Sequence, residues 1–63
     1  MYVIFDNLTG KYYTGNGWNA ALKLALQQTK LRAEELAESM NMHVARGWIK
    51  GEFVLIDYDS IDN

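Results

Sequence analysis

Two runs of strand-forming residues, Tyr2-Val3-Ile4-Phe5 and Tyr12-Tyr13-Thr14, stand either side of Asp6-Asn7-Leu8-Thr9-Gly10-Lys11. A connection this short, built on Asx and Gly, folds the chain back antiparallel with its turn near residues 7–10. The hairpin restricts the topology open to the rest of the chain, because a parallel βαβ unit needs a long crossover between its strands. With 63 residues and no cysteine, only one domain fits. It buries roughly 60% of its unfolded surface and has neither disulfides nor thiolate metal sites to support it. Its 13% aromatic content supplies much buried area per residue and argues for a folded domain over disorder.

The first residues lack a basic flank and a long apolar stretch, so they read as a strand and not as a secretory leader. No apolar run approaches the roughly 20 residues of a membrane span. The expected location is cytoplasmic, in a cell or an infected host cell. Net charge is −2, unevenly spread. Lys11, Lys23, Lys30 and Arg32 dominate the first half, whereas Glu34, Glu35, Glu38, Glu52, Asp57, Asp59 and Asp62 outnumber Arg46 and Lys50 in the second. Without clustered cations the chain has little attraction for a phosphate backbone.

After the hairpin, Gly15-Asn16-Gly17 ends the second strand and Trp18 reads as an apolar plug anchoring the loop. Residues 18–29 fit two patterns: Trp18, Ala21, Leu22, Ala25 and Thr29 mark a helical face, while Leu22, Leu24 and Leu26 alternate as in a strand. The first pattern gives one long helix through Met40; the second gives a break near Gln28, with Thr29 as an N-cap. From Lys30 to Met40 the segment is helical on either reading. Ala33, Leu36, Ala37 and Met40 face the core, Glu34, Glu35 and Glu38 face solvent, and Asn41 is the stop. The Gly47 and Gly51 region is a turn, and residues 52–58 form a strand dense in β-formers. The end, residues 59–63, reads as a frayed acidic tail. The expected fold is α+β: a small antiparallel sheet of three to four strands packed against one main helix.

The segments Asp6-Asn7-Leu8-Thr9-Gly10-Lys11-Tyr12-Tyr13 and Thr14-Gly15-Asn16-Gly17-Trp18 resemble a loose group of very small phage- and prophage-encoded proteins of unknown function. These have a TGKYY hairpin turn and a GNGW loop leading into an alanine-containing segment. The resemblance covers roughly residues 2–37, and the chain departs from it at Gln27-Gln28, where those proteins place an aromatic strand residue. It implies a hairpin, a helix, a final strand and a viral or mobile-element origin. By analogy with small phage proteins, it also implies action through a host enzyme.

No arrangement of residues points to catalysis, and the chain is read as a non-enzyme without cofactor. Gly15-Asn16-Gly17-Trp18-Asn19-Ala20 matches the dinucleotide-binding spacing. That fingerprint needs a parallel βαβ unit, and a bulky Trp18 sits badly in a phosphate turn. His43, the single histidine, has no cysteines or paired carboxylates with which to hold a metal. Asp57, Asp59 and Asp62 alternate like the start of a calcium loop but lack its glycine and glutamate. Ser39 and Ser60 are poorly placed for a Ser–His–Asp arrangement.

The remaining candidates concern binding. Trp48 and Ile49, between Gly47 and Gly51 and beside Arg46 and Lys50, have the tryptophan-plus-arginine composition of interface hot spots. The alternative is that Trp48 folds back to cap the core. Glu34, Glu35, Glu38, Asp57 and Asp59 are candidates for a negative surface that meets a basic groove. The sequence therefore leads to the expectation of a phage-type accessory protein that binds and modulates, by inhibition, a host protein. The alternatives are a self-assembling module that forms a homo-oligomer, and a nucleic-acid binder stacking bases on Tyr12, Tyr13 and Trp18.

Overall fold

The computed structural model describes residues 1–61. Four strands, β1 (Tyr2–Asp6), β2 (Lys11–Tyr13), β3 (Trp18–Asn19) and β4 (Phe53–Asp57), form one antiparallel sheet. Their order is β3-β2-β1-β4, and one main helix, α1 (Lys30–Ala45), packs against β1 and β4. This is the α+β arrangement expected from the sequence. No helix among the described residues is long and apolar enough to cross a membrane.

The register runs from Tyr2 opposite Asp57 to Asp6 opposite Phe53. Because strand side chains alternate, Ile4, Asp6, Lys11, Tyr13, Trp18, Phe53 and Leu55 share the face that meets the helix. Ile4, Ala37 and Phe53 form the core on that face, with Tyr13, Leu36, Met40, Val44 and Leu55 packed against it. Ala33 and Ala37 are buried in the helix surface, and their small side chains let α1 lie close to the sheet. Ile4 has no exposed surface, and burying such a side chain is worth about 2–3 kcal/mol.

Two expectations about the middle of the chain are corrected. Residues 18–29 form neither one long helix nor one long strand. Trp18 and Asn19 pair with Tyr13 and Tyr12, and Leu22–Leu24 make a single 3-10 turn. The chain then runs extended, so that Gln28 exchanges backbone hydrogen bonds with Tyr2 at 2.7 and 2.8 Å. The Asn19 side chain accepts from the Ala21 N–H at 2.8 Å, a local turn that competes with helix. The break with Thr29 as N-cap is the reading that holds: its hydroxyl accepts from Arg32 N–H at 3.4 Å. The Thr29→Ala variant should lose about 0.5–1 kcal/mol in urea unfolding, with the sheet unaffected.

The helix does not stop at Asn41 but continues to Ala45. Asn41 is accommodated because its amide reaches out of the helix and donates to the Phe53 carbonyl at 3.2 Å. Val44 extends the apolar stripe by one more turn. At the end expected to fray, Tyr58–Ser60 form a second 3-10 turn capped by the Asp57 carboxylate. Asp59 also binds the Met1 ammonium at 2.7 Å. Asp62 and Asn63 lie outside the described residues.

Candidate functional site

The exposed aromatic tip is built by the way α1 ends. Gly47 takes a positive φ of 78°, which a side chain would strain, and so reverses the chain. Gly47 N–H then donates to Val44 O at 2.9 Å and Trp48 N–H to His43 O at 3.0 Å. These two bonds are the glycine-dependent helix terminus in which the last carbonyls of the helix are satisfied from beyond its end. They set the course of the backbone at Trp48, whose indole is 64% exposed. The ring lies against His43, centroids 5.3 Å apart, with the Arg46 guanidinium 5.1 Å from its centroid. Trp48 is therefore a surface residue and does not cap the core.

Beside this tip is a cleft of about 320 Å³ lined by Asp6, Thr9, Lys11, Trp18, Ile49, Lys50 and Phe53. Its apolar wall is a run of rings. Trp18 stacks on Tyr13 and on Phe53, each at 5.3 Å, reaching across the sheet toward β4. Trp18, read from the sequence as an apolar plug anchoring the loop, packs on these rings, stays 36% exposed and forms one side of the cleft. Ile49, 41% exposed, joins the cleft to the Trp48 tip.

Asp6 anchors the cleft floor. It is buried at 4% exposure, and its carboxylate accepts from Leu8 N–H at 3.0 Å, Glu52 N–H at 2.9 Å and the Thr9 hydroxyl at 2.9 Å. Burial alone would push this carboxyl up. The bonds from Glu52, Leu8 and Thr9 outweigh it and hold Asp6 below its ordinary value. With that charge engaged by the protein's own donors, the outward-facing charges around the cleft and tip are the cations Lys11, Lys50 and Arg46.

The five candidate acids do not gather into one surface with the tip. Glu34 lies 3.9 Å from Lys30 and Glu35 lies 3.9 Å from Arg32 along the exposed side of α1. Asp57 and Asp59 sit at the far end of β4 and are engaged in the cap and the ammonium pair. Glu38 alone of the five has no ion pair or hydrogen bond among the described residues. A shallower hollow of about 230 Å³ lies between Gln28 and the helix residues Arg32, Glu35, Leu36 and Ser39. The buried Gln28 Oε1 there lacks a partner among the described residues.

The sequence singled out Trp48, Ile49 and Arg46, and the structure brings them together. It did not associate them with Trp18, Lys11 and Phe53, which lie far away in the chain. No spacing rule joins them, because the contact depends on the sheet order that sets β2 and β3 on one side of β1 and β4 on the other. No group of His, Cys, Asp or Glu among the described residues has metal-binding geometry. No protein-family model, curated protein or solved structure matches this chain, so the functional reading rests on its own geometry.

Proposed function

We propose that this domain is a non-catalytic binder of another protein, a small phage-type accessory protein that modulates a host protein by occupying one of its surfaces. The observation that carries the reading is the 64% exposed Trp48 with Arg46 over its ring and an apolar cleft beside it. Large exposed aromatics next to a pocket supply the anchors that dominate binding energy. The surrounding Lys11, Lys50 and Arg46 favour a partner segment that places an apolar side chain in the cleft and carboxylates at its rim.

The Trp48→Ala variant should weaken partner binding by at least ~2 kcal/mol, about thirtyfold. Its unfolding free energy should change by less than about 1 kcal/mol, because the indole is mostly in solvent. The reading is tested by passing nuclease-treated bacterial lysate over the tagged protein and its Trp48→Ala form. Stoichiometric capture of one protein by the first and not the second supports it. Failure of both to retain anything specific removes it.

A further inference from the structure

The strand β4 lies at the edge of the sheet, with β1 on one side and, among the described residues, no strand on the other. Asn7 N–H donates to Glu52 O and Tyr58 N–H to Met1 O. In an antiparallel ladder backbone groups alternate in direction, so Val54 and Ile56 face β1, whereas Phe53, Leu55 and Asp57 face outward. The Phe53 carbonyl is taken by Asn41 and the Asp57 carbonyl by the Ser60 hydroxyl at 2.9 Å. Leu55, at the centre, keeps both its N–H and its C=O unpaired among the described residues.

Exposed edges are ordinarily blunted by shortness, proline, lysine or a bulge. The opposite edge, β3, is two residues long. By contrast, β4 has five residues, Phe-Val-Leu-Ile-Asp, in unbroken register with no proline, lysine or bulge, and its covering is confined to the two end carbonyls. Its pattern is also nearly symmetric about Leu55, with a β-branched residue on each side. Two copies laid antiparallel about a two-fold axis at Leu55 would exchange two Leu55 N–H to Leu55 C=O bonds. Val54 would then stand opposite the second copy's Ile56 on the face away from the helix, a favourable cross-strand pair. Charge adds a smaller attraction: Lys50 precedes β4 and Asp59 follows it, so the antiparallel arrangement brings Lys50 of each copy toward Asp59 of the other, with Glu52 beside the lysine and the Met1 ammonium on Asp59 reducing the effect.

We propose that the occupant of this edge is a second copy of the chain, giving a two-fold dimer with a continuous eight-stranded sheet. The surface is separate from the Trp48 tip and does not depend on it. Sedimentation equilibrium should show mass rising with concentration toward twice the 7.2 kDa of one chain. In the same samples, hydrogen exchange at the Leu55 amide should slow at least tenfold as the dimer fills. An Ile56→Lys variant places a charge beside the axis, and it should raise the dimer dissociation constant at least tenfold while its circular dichroism stays native. A chain that remains monomeric at millimolar concentration, or a dimer in which the Leu55 amide exchanges as fast as in the monomer, would overturn the proposal. So would a folded Ile56→Lys protein that dimerises unchanged. Should that variant not fold, the concentration dependence of Leu55 exchange in the natural chain decides alone.

Discussion

Replacing Asp6 by alanine is expected to cost about 2–4 kcal/mol in urea unfolding, more than any surface change in the molecule. The loss arises because Leu8 N–H, Glu52 N–H and the Thr9 hydroxyl all depend on this carboxylate, and orphaned donors near the interior cost roughly 1–3 kcal/mol each, less where water reaches them. The same carboxylate joins the hairpin turn to the residue that opens β4, so the loss is felt in both. Its pH dependence has a defined sign. The folded state holds the Asp6 carboxyl below its ordinary value of 3.8, so the unfolded chain takes up the proton first as pH falls. The contribution is complete at neutral pH, declines below the ordinary value, and is gone once pH passes below the folded value. The Asp6→Asn variant should therefore unfold with a flatter dependence on pH through the acid range. Parallel urea titrations between neutral and acid pH would show this, and identical slopes for the two proteins would refute it.

A second large effect is expected at Gly51. A methyl group there would fall 2.8 and 2.9 Å from two ring carbons of Phe53, well inside contact distance. That ring is 8% exposed and is part of the core with Ile4 and Ala37, so it can yield only by giving up its contacts there and moving toward the cleft. Overpacking of this kind typically costs 1–3 kcal/mol, and Gly51→Ala should lie near the upper end, at about 3 kcal/mol by thermal or urea unfolding. A Phe53→Leu background would remove the obstructing atoms. The additional cost of Gly51→Ala there should shrink by more than 1 kcal/mol, the coupling expected of residues in contact. Strict additivity of the two changes would show that the ring is not the cause.

These two residues also show where the sequence was readable and where it was not. The hairpin was legible because its turn chemistry is local: Asx and Gly within five residues leave one outcome. The helix stripe of Ala33, Leu36, Ala37 and Met40 and the β-rich final strand were legible because periodicity survives tertiary context. Asp6 was recognised as part of a turn, but its bond to Glu52 joins positions far apart in the chain, and no spacing rule connects them. Residues 20–28 were unreadable for a different reason. Leu22 belongs both to a helical face with Ala21 and Ala25 and to an alternating run with Leu24 and Leu26, and a side-chain turn at Asn19 together with pairing of Gln28 to Tyr2 decided against both. Asn41 misled because its propensity favours a stop, and only the Phe53 carbonyl across the fold makes it acceptable inside a helix. Of the site, Trp48, Ile49 and Arg46 were contiguous and visible. The opposing wall, Trp18 with Phe53, existed only once the sheet order was known.

That sheet order has a consequence for how the molecule comes into being. Strand β1 is central, and its two neighbours come from opposite ends of the chain. The hairpin with β2 closes a short loop within roughly microseconds, whereas β4 must be brought back across most of the chain, the slower closure. In that interval the apolar core strand of Val3 and Ile4 presents a bare edge, and the folding chain is then most vulnerable to a strand from a neighbour. The risk ends when β4 docks, and the open edge passes from β1 to β4.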